Sequence, residues 1–224
     1  MEINEFKQNT NKIVNSIDVD ALKVLQEKLK KDYFHDSWTK FFDIENEVSF
    51  FYNLYLNVFE ENELDQTIFD LGCGCGVFPY ICKFFNHNVY TSEIPVEPSI
   101  KANNQHMIKT LEMFYQYKEI LKINTDIILN IGKNNVFDLK KTFDTIFLNR
   151  ISYCASHDFS SWCFLINNLK SSLTNKNKNS FISLNINGTE PGFSSFRDNY
   201  KKLIQNNVDV KKITEYTYNI IINN

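Results

Sequence analysis

Long basic runs are missing from this sequence. Its 24 Lys and Arg stand against 27 Asp and Glu, and the densest clusters are as small as Lys28, Lys30 and Lys31. With a net charge of −3, that distribution excludes the electrostatic footprint of a duplex nucleic-acid binder. Long apolar runs are missing too. The densest, residues 50–59, is interrupted by Asn53 and Asn57, and residues 1–11 are polar, so neither a membrane span nor an export signal is expected. Cysteine is present in an odd number, five, and Cys73, Cys75 and Cys82 crowd around one glycine loop. A complete intrachain disulfide framework is thereby excluded, and a reducing, cytoplasmic location is the expectation. The same three thiols lack the paired spacing of a structural zinc site, so no metal is expected.

What is present is core material. The chain has 224 residues, 43% of them hydrophobic, with 20 Phe, which suits one globular domain. Residues 1–64 read as a helical N-terminal extension. Asp18 can cap a helix carrying Val19, Leu22, Leu25 and Leu29, and a second helix is expected over residues 47–60. The linking stretch, 33–43, holds His35, Asp36 and Trp38 and could line a substrate lid or simply pack.

From residue 65 short apolar runs alternate with longer amphipathic segments, the pattern of a βαβ succession. Strands are expected at 67–71, 88–93, 126–131, 144–149 and 180–186, and a helix from about Val77, where Pro79 is tolerated in the first turn. Met107, Ile108, Leu111, Phe114 and Tyr115 mark the apolar face of a second helix. Trp162, Leu165, Ile166, Leu169 and Leu173 do so for a third. Residues 194–206 read as a further helix, and 208–213 with 217–222 as a terminal antiparallel hairpin. The expected fold is α/β, a doubly wound and mainly parallel seven-stranded sheet closed by that hairpin.

The strongest motif is Asp70-Leu-Gly72-Cys-Gly74-Cys-Gly76, directly after an apolar strand and before a helix. Glycines at alternate positions permit a tight turn and close backbone approach, and the amides of a helix start attract negative charge. The next strand ends at Glu93, placed to accept ribose hydroxyl protons at the same crevice. A dinucleotide fingerprint would read Gly-x-Gly-x-x-Gly, whereas here Val77 occupies the third glycine's usual place. A nicotinamide oxidoreductase is therefore the weaker reading.

Asp70 to Gly76 resembles the first motif of class I S-adenosylmethionine-dependent methyltransferases, and Glu93 is similar to their acidic residue after the second strand. Phe143-Asp144-Thr-Ile-Phe-Leu148 is similar to the family's fourth strand, and the likeness extends over roughly residues 65–222. The resemblance implies S-adenosyl-L-methionine as cofactor. Asp70, Gly72, Cys73, Gly74 and Gly76 would surround its methionine part, Glu93 would hold the ribose and Ile94 would pack on the adenine. The chain departs from the family at Ile131-Gly-Lys-Asn134, where the usual acidic residue is absent.

In that fold the residues after the fourth strand border the transferred methyl, here Asn149, Arg150, Ile151, Ser152 and Tyr153, then His157 and Asp158. Asn149 is counted with the cofactor contacts. The Asp/Asn-Pro-Pro-aromatic motif of exocyclic base methylation is missing from this segment. A small-molecule or sugar-like hydroxyl acceptor is the leading expectation. RNA or protein methylation, and a catalytically silent cofactor-binding protein, are the alternatives. If the acceptor is a hydroxyl, His157 is the candidate base, since an imidazole takes protons near neutral pH. His157 and Asp158 equally suit the residues that precede and cap a helix.

Overall fold

The computed structural model describes residues 3–32, 39–59, 65–92, 105–124, 141–149, 167–174, 181–185, 202, 210–212 and 217–221. They fall into two compact units, one helical and one built on a sheet.

The helical unit comprises Met1–Glu61, Cys73–Asn86 and Val96–Thr125. Its helices are α1 (Ile3–Asn15), α2 (Val19–Asp32), α3 (Thr39–Phe42), α4 (Ile44–Val58), α5 (Val77–Phe84) and α6 (Gln105–Ile120). Asp18 caps α2 as expected, its Oδ1 accepting from the Ala21 amide at 2.9 Å. Leu22, Leu25 and Leu29 are buried along one stripe of that helix. The second expected helix begins three residues earlier than residue 47, because Asp43 accepts from the Asn46 amide at 3.3 Å and so starts α4 at Ile44.

Sequence reading gave no helix for residues 3–15. Its buried stripe holds only Thr10 and Ile13, and the rest of its anchoring is made by Phe6, stacked on Tyr52 of α4 at 5.2 Å, and by Asn9, which donates to the Tyr52 hydroxyl at 3.0 Å. Tyr52 and Tyr55 in turn stack on Phe85, at 5.6 and 4.7 Å, and Phe51 meets Phe78 at 5.9 Å. An aromatic layer therefore welds α1, α4 and α5, each ring removing a large apolar area from water.

Of the face expected for α6, Leu111 and Phe114 are half-buried and Tyr115, at 48% exposed, is corrected, while the side chains of Met107 and Ile108 lie outside the described residues. Met113, Tyr117 and Lys118 are buried as well. The Tyr117 hydroxyl donates to the Phe41 carbonyl at 2.6 Å, while Phe41 meets Phe114 edge-on at 5.4 Å. A tyrosine and a lysine are thus buried on this helix beside Met113.

The sheet unit comprises Asn62–Gly72, His87–Pro95 and Asp126–Asn224. Among the described residues the sheet has six strands: β1 (Thr67–Leu71), β2 (Asn88–Ser92), β3 (Thr145–Asn149), β4 (Phe181–Asn185), β5 (Val210–Lys212) and β6 (Thr217–Ile221). Their order is β2-β1-β3-β4-β6-β5. The first four are mutually parallel, β6 runs antiparallel to β4, and β5 pairs antiparallel with β6. Parallel strands covered on both faces need continuous apolar runs. Ile68, Phe69 and Leu71 of β1 and Ile146, Phe147 and Leu148 of β3 supply them, all fully or almost fully buried. The strand expected at 126–131, the helix expected at 194–206 apart from Lys202, and Trp162, Leu165 and Ile166 of the third amphipathic stripe lie outside the described residues. Leu169 and Leu173 of that stripe are buried.

Asp144, the aspartate of the Phe-Asp pair before β3, ties the amino ends of two strands. Its Oδ2 accepts from the Thr67 amide at 2.8 Å and its Oδ1 from the Thr174 hydroxyl at 2.6 Å. The Asp144 amide donates back to the Thr67 carbonyl at 2.8 Å. The register of β1 against β3 is thus fixed at the edge of the sheet away from the glycine loop.

Candidate cofactor site

In the sheet unit β1 is flanked by β2 on one side and β3 on the other, so the chain reverses its direction of winding at β1. Open α/β sheets bind ligands in the crevice outside the carboxyl ends of the strands at such a switch point. Asp70 stands on β1 next to that end, buried, in register with Thr91 of β2 and Phe147 of β3. The chain leaves β1 through Gly72, whose amide donates to the Ser92 carbonyl at 2.8 Å and whose φ is +75°.

Ser92, the last residue of β2, is fully buried, and its Oγ is a buried side-chain oxygen without a hydrogen-bond partner among the described residues. Unsatisfied buried polar atoms are few in folded proteins and collect where function keeps them. Sequence reasoning passed over Ser92, because a serine in a strand carries no signal until its partners are known. Asn149 closes β3 with its backbone paired to Asn185. Glu93, Ile94 and His157 lie outside the described residues.

In the helical unit, Cys73 to Gly76 run into the start of α5. Gly74 has φ +55° and Gly76 φ +82°, while the intervening cysteines keep the ordinary negative sign. Alternation of this kind turns successive amides toward one side, the geometry by which backbone receives an anion. Gly76 is the N-cap of α5 and offers no side chain, so the helix begins without a side-chain cap for its first amides. A Cβ on Gly74 would meet the Phe114 ring at 3.9 Å, ordinary contact, so backbone conformation rather than space demands glycine there. At Gly76 both act, since a Cβ would stand 2.9 Å from Lys118 Cγ.

Lys118 is the second residue that sequence reading missed. It is 2% exposed, its Nζ lies 3.7 Å from Cys73 Sγ, and the ammonium stands over the Tyr115 ring at 4.8 Å. Below it, burial raises the Tyr117 phenol pKa well above its ordinary value, with the Cys75 thiol and the Glu47 carboxylate adding to the effect. Tyr117 is therefore a fixed, protonated donor to Phe41 and not an acid-base group. Among the described residues no cluster of His, Cys, Asp and Glu is arranged to hold a metal ion.

The sheet unit, four parallel strands with a switch point at β1, is of the open α/β class. No protein-family model matches the sequence, and no curated protein matches it. Solved structures do. A methyltransferase from Pyrococcus furiosus is 15% identical, with 77% of this chain and 81% of that chain covered at a TM-score of 0.47. Magnesium protoporphyrin IX methyltransferase from Synechocystis PCC 6803, solved with bound SAM, is 13% identical over 79% and 81% at 0.46. A TehB-like SAM-dependent methyltransferase from Corynebacterium glutamicum is 11% identical over 78% and 94% at 0.47. All three are methyltransferases by name.

Proposed function

We propose that the protein is an S-adenosylmethionine-dependent methyltransferase acting on a small molecule or a sugar-like hydroxyl. The observation that carries the proposal is the sequence Asp70 to Gly76 following directly on β1, with Gly72, Gly74 and Gly76 all at positive φ. Left-handed glycines and a helix start without a side-chain cap support this reading for the cofactor's charged part, and Glu93, which follows β2 in the sequence, would hold its ribose. Ile94 would pack on the adenine, and Asn149, ending β3, would border the methyl group. A seventh strand, expected at residues 126–131, would complete the sheet.

The cofactor supplies an already activated sulfonium, so the protein's work is to bind, orient and exclude water. Asp70 and the loop backbone would fix the donor. His157 would take the acceptor's proton if the acceptor is a hydroxyl.

Incubation with methyl-labelled S-adenosylmethionine and fractionated metabolites tests the reading. Label is expected in the low-mass fraction. Label that sediments with macromolecules and is released by nuclease or protease would replace the small acceptor with RNA or protein.

A further inference from the structure

We infer that the Ser92 hydroxyl is a specificity contact for the nucleoside half of S-adenosylmethionine, left without a partner until that ligand binds. The inference rests on the proposed function and adds one residue to its site. Ser92 is fully buried, and among the described residues its Oγ is the one buried side-chain nitrogen or oxygen without a hydrogen-bond partner. Burying an unpartnered hydroxyl costs stability, whereas an apolar side chain of similar size carries no such cost. Serine is thus a poor structural choice at this position, and its oxygen calls for a bond from a bound group.

The second observation is place. Ser92 is the last residue of β2, in register with Leu71 at the end of β1, and its carbonyl accepts from the Gly72 amide at 2.8 Å. The hydroxyl therefore belongs to the carboxyl edge of the sheet unit, on the residue to which the first glycine of the motif is fastened. Ligands of open α/β sheets bind outside that edge. With its main chain held in the ladder and by Gly72, Ser92 cannot turn its hydroxyl out to water without breaking the end of the β1 and β2 pairing.

The nucleoside half follows from the next residue in the sequence, Glu93, which is proposed for the ribose. An ionised carboxylate only accepts hydrogen bonds, whereas a serine hydroxyl also donates. Ser92 would therefore give its proton to a nucleoside oxygen or nitrogen that Glu93 cannot serve. A ligand without a nucleoside would leave that oxygen as it stands in the free protein, buried and unsatisfied.

The test is titration calorimetry of Ser92→Ala and wild type with S-adenosylmethionine and with methylthioadenosine, which keeps the nucleoside and lacks the amino acid, beside thermal melts of both proteins without ligand. The variant is expected to bind both ligands roughly five- to tenfold more weakly, while its ligand-free midpoint is unchanged or higher. A lowered midpoint, or a variant that does not fold, overturns the inference, because the hydroxyl would then be bonded within the free protein or to trapped water. Unchanged affinity for S-adenosylmethionine overturns it as well. So does a loss confined to S-adenosylmethionine, which would assign the hydroxyl to the amino-acid half. Wild-type protein that binds neither ligand contradicts the proposed function itself, and this contact falls with it.

Discussion

Lys118 Cγ lies 2.9 Å from the point where a Cβ on Gly76 would stand, and Gly76 itself turns the chain into α5 at φ +82°. Both facts oppose any side chain at residue 76. Gly76→Ala should therefore cost about 1–3 kcal/mol of stability, from left-handed strain together with displacement of Lys118. Denaturant melts check this. An unchanged midpoint would mean that the loop relaxes freely.

Gly74 makes the contrasting case, because a Cβ there has room beside Phe114 at 3.9 Å but inherits φ +55°. Gly74→Val should fold and yet lose S-adenosylmethionine affinity, since a β-branched residue resists the left-handed region and so disturbs the loop backbone proposed to receive the ligand. Full affinity in a folded variant would remove the loop from the site.

Glu93→Ala should weaken cofactor binding by about 1.5–3 kcal/mol, the worth of charge-assisted hydrogen bonds to ribose, while leaving the melt unchanged. His157→Ala should leave binding intact and lower turnover on a hydroxyl acceptor by roughly 10²-fold or more, with the low-pH limb of the rate profile lost. Equal rates and profiles would return His157 to a helix-capping place.

His87 supplies a pH dependence of stability. Burial lowers its pKa from the ordinary 6.5, the nearby Asp65 carboxylate opposing only in part, and its Nδ1 accepts from the Gln66 amide at 3.3 Å. The unfolded chain then binds the proton more readily than the folded one. The stability given by the neutral imidazole is present above pH 6.5 and lost as pH falls from there toward the lowered value. Thermal melts between pH 7.5 and 5 should show a steeper decline for wild type than for His87→Gln. Parallel curves would contradict it.

Much of the sheet was legible because its signals are local. Residues 67–71 form a short strand with Ile68, Phe69 and Leu71 apolar and a glycine loop behind it, and β1 occupies those residues. Asp18 announced α2 for the same kind of reason, a capping side chain directly before its helix. The face of α6 was not legible. Hydropathy counts Leu111 and Tyr115 toward a core and Lys118 away from it, yet Phe41 holds Tyr117 inward and Cys73 accompanies Lys118. Residues 3–15 escaped for a related reason: one helix anchored by Phe6 and Asn9 on a tyrosine of another leaves little period to read. The site divides the same way. Glycines declare their backbone, whereas the roles of Ser92 and Lys118 depend on partners far away in sequence.

Titration calorimetry of the purified protein with S-adenosylmethionine, S-adenosylhomocysteine and NAD tests most directly whether the chain binds S-adenosylmethionine rather than a dinucleotide. Saturable one-to-one binding of the two sulfur ligands, weakened in Glu93→Ala, with no saturable heat from NAD, is the predicted result. Binding of NAD in preference to both sulfur ligands, or no binding of either sulfur ligand by folded protein, would contradict it.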